Sequence, residues 1–263
     1  MNINLKGKKA FVCGSTQGIG KAAAIELANL GASVVLLSRN KVALKQVKEE
    51  LSTEAGQVHD YIAVDFSDIE DLKLQLKQYF QNNTQAVHIL VNNTGGPPAG
   101  KAIDANATEF LTAFNNHLLC NHILVQALVD GMKQEKYGRI INVISTSVKQ
   151  PIAGLGVSNT IRAAVGNWAK TLAGELGAFG ITVNNVLPGA TRTQRLQNII
   201  DTKAQKLSNT SAIVAAEMQH EIPAARFAEP EEIANAIAFL ATPAAAYING
   251  INVPVDGGRT NCL

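Results

Sequence analysis

Short apolar runs alternate along this chain with stretches of helical length, and no other feature of the sequence limits the fold as much. Residues 9–13 form an apolar run that stops at Gly14. Residues 19–30, rich in Ala and Leu, read as a helix closed by Gly31. Residues 33–37 are β-branched and apolar, which predicts a buried strand, and 42–51 predict a polar-faced helix. A third strand is expected over 61–64. Ser67 stands as the N-cap of a helix reaching Phe80, with Glu70 completing a capping box. A fourth strand covers 87–91. The second half repeats the pattern in longer pieces, beginning with a helix over 108–133, a strand over 139–144 and a helix over 159–179. A strand over 181–186 and polar helical sequence over 194–222 follow. A helix opened by Pro230 and ending near Leu240 leads to a last strand over 251–255.

Strands alternating with helices build βαβ units and a parallel sheet. Runs that are apolar throughout belong to a sheet covered on both faces. There is no linker, low-complexity segment or fixed-period repeat. Residues 1–263 are therefore expected to form one domain: an α/β, doubly wound, Rossmann-type parallel sheet of about seven strands with helices on both faces.

Composition narrows the partners. The chain is 46% hydrophobic with a net charge of +2, so it is globular and holds little to attract a nucleic acid or an anionic membrane. Its three cysteines, Cys13, Cys120 and Cys262, are far apart and form no CxxC pair. That excludes a disulfide framework and suits a reducing compartment. No run approaches the roughly 18 apolar residues that span a bilayer, and the lysine-bearing start lacks a signal-peptide core. The expectation is a soluble cytoplasmic protein. No HExxH occurs, and His117 and His122 are not at i, i+4 spacing, so no metal site is expected.

The first strand meets the first helix through Gly14, Ser15, Thr16, Gln17, Gly18, Ile19 and Gly20. Glycines at this spacing let the backbone turn tightly and approach a pyrophosphate, while the helix N-terminus offers unpaired N–H groups. Alone, such a turn is equally a plain strand-to-helix connection. The end of the second strand adds to it. An NAD site places an acid there for the ribose 2′-hydroxyl. Here the sequence is Leu37, Ser38, Arg39, Asn40, with no acid. A carboxylate would repel a 2′-phosphate, whereas Ser38 and Arg39 would receive one, which favours NADP over NAD. Arg39 is otherwise a solvated surface charge.

Further motifs follow in order: Asp65 after the third strand, Asn92-Asn93-Thr94-Gly95 after the fourth, Pro188-Gly189 after the sixth, and Asp256-Gly257-Gly258 after the last. With the glycine turn, this order and spacing resembles the short-chain dehydrogenase/reductase family, on its oxoacyl-reductase-like side, over nearly the whole chain. The resemblance implies that Asp65 bonds the adenine amino group with Phe66 beside the ring. It implies that Asn92 to Gly95 line the adenosine ribose and steady the sheet, and that Pro188, Gly189 and Thr193 flank the nicotinamide and its carboxamide. Residues 194–222 would close over substrate. A homodimer or homotetramer built on the long helices is also implied, although Phe110, Phe114 and Leu118 at helical spacing read more simply as core.

The resemblance breaks at the reaction centre. The family uses an Asn on the long helix, a Ser after the fifth strand, and Tyr-x-x-x-Lys on the next helix. Ser145 matches the Ser, but Ser158 stands at the Tyr position, Arg162 at the Lys position and His117 at the Asn position. A tyrosine titrates near about 10 and a cation can draw it toward working pH, whereas a serine hydroxyl has no such reach. Arginine stays protonated and relays no proton, although it can bond ribose hydroxyls. None of the four tyrosines, Tyr61, Tyr79, Tyr137 and Tyr247, falls at a suitable place in the sequence. His117 is either part of a relay or a packed helix histidine, and Lys149 is either beside substrate or a loop lysine. Ser145 could polarise a carbonyl and Ser158 could hold a water or the substrate oxygen.

Two functions fit. One is an NADP-dependent oxidoreductase that moves hydride between nicotinamide and a small carbonyl or alcohol with an altered proton donor. The other is a catalytically inactive nucleotide-binding sensor or partner subunit on the same fold.

Overall fold

In the computed structural model, which describes residues 1–262, seven strands form one parallel sheet in the order β3-β2-β1-β4-β5-β6-β7. The strands are β1 (Lys9–Cys13), β2 (Ser33–Ser38), β3 (Asp60–Ala63), β4 (Ile89–Asn92), β5 (Gly138–Val143), β6 (Ile181–Pro188) and β7 (Asn252–Val255). The helices are α1 (Gly18–Asn29), α2 (Lys41–Glu50), α3 (Ile69–Asn82), α4 (Ala107–Phe114), α5 (Cys120–Gln134), α6 (Gly156–Leu176), α7 (Gln194–Leu207), α8 (Ser211–His220) and α9 (Pro230–Ala241).

Two apolar layers hold the sheet. On one face Ala23, Leu27, Leu44, Val47, Ile233 and Ile237, from α1, α2 and α9, meet Ala10, Val12 and Leu36. On the other, Leu72, Leu76, Leu124, Leu128 and Leu172, from α3, α5 and α6, meet Phe11, Leu90 and Ile140. Strand order reverses between β1 and β4, which opens a crevice at the carboxyl ends of the strands.

Several local expectations need correcting. Asp68, not Ser67, caps α3, accepting bonds from the N–H groups of Glu70 and Asp71. Ser67 instead gives both its N–H and its hydroxyl to Asp65. The helix expected over 108–133 is interrupted: α4 and α5 are joined by a π-helical turn at Asn115–Leu119 that carries His117. Phe114 is exposed, as is Leu111 one residue from Thr112, while Ala113 is the buried residue of α4. Of the stripe, Phe110 and Leu118 pack partly buried on small core clusters, as expected, and Phe114 alone is exposed. Helix α6 starts at Gly156 rather than near Asn159, where the strand-end loop binds it: the N–H of Gly156 donates to the carbonyl of Gly100 at 2.9 Å. Residues 194–222 resolve into α7 and α8, which bury Leu196, Ile200, Val214 and Ile222 with Phe227 in a small core of their own.

One polar feature runs through the second half of the sheet. Asn92, Asn142, Asn185 and Asn252 are register partners on four adjacent strands. The side-chain amide of each of the first three donates to the next: Asn92 to Asn142 at 2.8 Å, Asn142 to Asn185 at 2.9 Å and Asn185 to Asn252 at 2.8 Å. Removing an inner rung leaves a donor on one side and an acceptor on the other unpaired. Asn142→Ala should therefore destabilise by about 3 kcal/mol in denaturant titration, while Asn252→Ala, at the half-buried end, should cost about 1 kcal/mol.

His88 supplies a second test. It is buried, and its Nδ1 accepts the Lys9 N–H at 3.1 Å. Burial, reinforced by Lys8 and opposed by Glu135, pulls its pKa from 6.5 to about 4. Between those values the unfolded chain binds a proton that the folded chain does not, so stability falls as pH drops through that window. His88→Asn keeps an acceptor for Lys9 and removes the titration. The decline of Tm between pH 6.5 and 4 should become shallower in that variant.

Candidate functional site

The crevice is built around a three-way backbone contact. Gly14 and Gly18 have φ of 59° and 54°, the left-handed region that favours glycine. A Cβ on Gly20 would stand 2.2 Å from the Gly14 carbonyl oxygen, and one on Gly14 would stand 2.5 Å from the Asn93 carbonyl oxygen. Asn93 closes the contact by donating its amide to the carbonyls of Cys13 and Gly14 at 3.3 and 3.4 Å. Helices α2, α3, α4, α7 and α8 each start on a side-chain cap, but Gln17 gives α1 none. Its first N–H groups are thus left to whatever lies in the turn. The buried Ser15 hydroxyl has no partner in the chain. A cradle that any side chain would fill, ending on an uncapped helix, fits a pyrophosphate. Ile19 packs on the first core layer and anchors the turn from below.

The neighbouring positions fit the rest of a dinucleotide. The Ser38 and Thr16 hydroxyls lie 3.4 Å apart at the end of β2. Arg39 is 76% exposed and 3.7 Å from Asp65, a loose pair that leaves the guanidinium accessible. The N–H of Ser67, with its hydroxyl and Arg39, holds the Asp65 carboxyl below its usual range against a smaller opposing effect of burial. Phe66 packs partly buried on the second core layer beside it. Across the crevice, Pro188 ends β6, and the N–H of Gly189 donates to Val255 at 2.9 Å. Thr193 caps α7, accepting the N–H of Leu196 and donating its hydroxyl to Thr191. Its methyl would lie 3.0 Å from a Cβ on Gly18, so α7 begins directly over the glycine turn. Asn92 is buried in the asparagine row, the sheet-steadying half of its expected role.

Ser145 follows β5, Ser158 and Arg162 stand on α6, and Arg162 reaches back to the end of β5. Ser145 Oγ accepts the Ser147 N–H at 3.1 Å, which leaves its proton free to donate outward. Ser158 and Arg162 are both buried, one helical turn apart. Arg162 Nη1 donates to the Val143 carbonyl at 2.9 Å, while its Nε has no partner. Burial and the nearby charge of Arg195 lower its pKa to about 10, so it remains a cation at neutral pH.

His117 is joined to Thr94. Thr94 Oγ1 lies 2.6 Å from His117 Nδ1 and donates to the Asn116 carbonyl at 3.2 Å. A hydroxyl has one proton, so the arrangement that satisfies both contacts puts hydrogen on His117 Nδ1 and leaves Nε2 as an acceptor. Burial, with Arg162 and Arg195, pushes the His117 pKa down to about 2. The ring is neutral at working pH and has no proton on the free nitrogen to give. In this form Nε2 can accept a hydrogen bond. It lines a cleft of about 290 Å³ with Gly95, Gly96, Pro97, Thr112 and Asn116.

No phenol reaches this region. Tyr79 packs against Phe11 at 5.3 Å between ring centroids, Tyr137 donates to the Ala241 carbonyl at 2.7 Å, and Tyr247 is fully exposed. Tyr61 stands in β3, at the far edge of the sheet. Lys149 ends the short turn after Ser145, and its carbonyl meets the Cys262 thiol at 3.6 Å. Sequence reasoning missed Arg195. From α7 it donates to the carbonyls of Gly96 and Pro97 at 2.8 and 3.3 Å. It belongs to no motif, and only the fold brings it to the cleft. Thr16 and Asn93 do sit in the glycine turn and the Asn-Asn-Thr-Gly motif, but the contact of Thr16 with Ser38 and the wedge role of Asn93 come only from the fold. Among the described residues, no cluster of metal-ligand side chains occurs and no helix is long and apolar enough to cross a membrane.

A family model described as enoyl-(acyl carrier protein) reductase matches residues 14–260. The chain is 33% identical to a 3-oxoacyl-[acyl-carrier-protein] reductase of Vibrio harveyi, over 97% of this chain and 98% of that protein. It is 30% identical to the NADPH-dependent reductase BacG of Bacillus subtilis, over 97% and 99%. Among solved structures, L-sorbose reductase from Gluconobacter frateurii, determined with NADPH and L-sorbose, superposes with a TM-score of 0.92 at 29% identity, covering all of both chains.

The neutral His117 has a measurable signature. Its ring should show the Nδ1–H tautomer by nitrogen NMR from pH 8 down to pH 4, with no titration near 6.5. Protonation within that range would refute the assignment.

Proposed function

The chain belongs to the short-chain dehydrogenase/reductase family, and on that premise we propose that it is an NADP(H)-dependent oxidoreductase of small carbonyls or alcohols whose proton donor is not tyrosine. The observation that carries this reading is the cradle of Gly14, Gly18 and Gly20 against Asn93, with Ser38 and Arg39 in place of an acid. Relatives named as NADPH-dependent support the choice of cofactor. NADPH, when bound, supplies the hydride.

The chain's own residues hold and polarise. The α1 N-terminus and the glycine turn take the pyrophosphate, and Thr16, Ser38 and Arg39 take the 2′-phosphate. Arg162, buried and cationic, donates to the nicotinamide ribose and adds positive charge beside the reacting oxygen. Ser145 gives its free proton as a hydrogen bond to the carbonyl oxygen. Ser158 presents a hydroxyl to that oxygen or to the water that completes the alcohol. His117 accepts from a hydroxyl of the bound pair. Residues 194–222, packed on their own small core, cover the substrate. Exposed Ile103, Leu111 and Phe114 support a homodimer or homotetramer.

The test is NADPH oxidation against a panel of small carbonyls, read by loss of nicotinamide absorbance. Turnover supports the proposal. Tight NADPH binding without turnover of any carbonyl favours the sensor or partner-subunit reading, which Ser158 and Arg162 motivate. Independently, Arg39→Asp should weaken NADPH by about tenfold or more relative to NADH, the value of one charge-assisted bond, measured as paired Kd values.

A further inference from the structure

We propose that Arg195, with Arg162 behind it, makes the cleft specific for carbonyl substrates that carry a carboxylate, an inference that rests on the oxidoreductase reading above. Two guanidinium groups stand behind the wall of this cleft, both close enough to act on His117. Arg195 reaches in from α7 and fixes the Gly96 and Pro97 carbonyls on the cleft wall. The guanidinium lies directly against Gly96: a Cβ there would stand 2.6 Å from it. Arg162 is 8% exposed, yet it donates to only one carbonyl and leaves Nε bare.

Neither arginine has a carboxylate within ion-pair distance among the described residues. Burial and the charge of Arg195 both lower the Arg162 pKa, burial alone lowers that of Arg195, and both charges bear on His117. Glu109 is the one carboxylate on the cleft wall, but it is tied to the Asn106 N–H at 2.9 Å at the start of α4, and it acts on neither arginine. Arg162 is a buried cation without an anion, a costly arrangement that a ligand can complete, whereas Arg195 is solvent-exposed and can meet that ligand from the outside. The ribose hydroxyls of the cofactor are neutral and leave the charge uncompensated. A carboxylate matches the planar fork of Arg195, whose guanidinium keeps donors beyond the two already used.

The test uses the whole protein saturated with NADPH and, as probe, oxamate, with oxamide as its uncharged counterpart. Oxamate should raise the thermal unfolding midpoint and oxamide should not. Arg195→Gln should weaken oxamate by about tenfold or more while NADPH affinity holds, and Arg195→Lys should restore part of it. The proposal is overturned if oxamate does not bind, or binds Arg195→Gln as tightly as the wild type. A wild type that binds oxamate through Arg195 but reduces no carbonyl keeps the anion site and sinks the oxidoreductase reading. One that reduces neutral ketones as well as the matching oxo acids keeps the oxidoreductase and sinks the specificity.

Discussion

The nucleotide half of this molecule depends on how closely three pieces of backbone meet between β1, α1 and the end of β4. Gly20 touches the Gly14 carbonyl, Gly14 touches that of Asn93, and the Asn93 amide bonds back to the turn. No Cβ fits at either glycine. The contact sets the angle at which α1 leaves the sheet and so the direction of its uncapped N–H groups. It also seats Thr94 beside His117, because Thr94 follows the wedge residue directly. Nucleotide cradle and reaction cleft are therefore positioned by one junction rather than by two.

Much of this architecture was legible in the sequence because it depends on backbone demands that few residues meet. The strand runs, the glycine turn and the acid-free end of β2 could be read residue by residue. What was not legible depends on contacts between distant segments. Arg195 lies far along the chain from Gly96, within a polar stretch that offers no spacing signal. The π-helical turn at Asn115–Leu119 adds a residue to a helix that otherwise keeps its period, so the pattern gave no reason to break it. The Ser67 misreading was local: two good capping residues stand side by side, and Asp65 captured the first. His117 was located from sequence, but its protonation and tautomer follow from Thr94 and burial.

A site that lacks the phenol has a different electrostatic character. In place of a titrating hydroxyl beside a lysine, this chain keeps a permanent cation, a neutral imidazole and two serines. The positive charge there is fixed across the physiological range, because the arginine stays protonated and the histidine stays neutral. On the reading proposed above, such a site would favour the build-up of negative charge on oxygen, with water delivering the proton.

The asparagine row across β4 to β7 has a consequence for chemical ageing. Each inner rung must give a hydrogen and take one, and only an amide of that length does both. Deamidation of Asn142 would leave a carboxylate facing the Asn185 oxygen with no hydrogen between them. The sheet would then carry a buried charge that no refolding could repair. Time spent warm, as well as peak temperature, would set the working life of the fold.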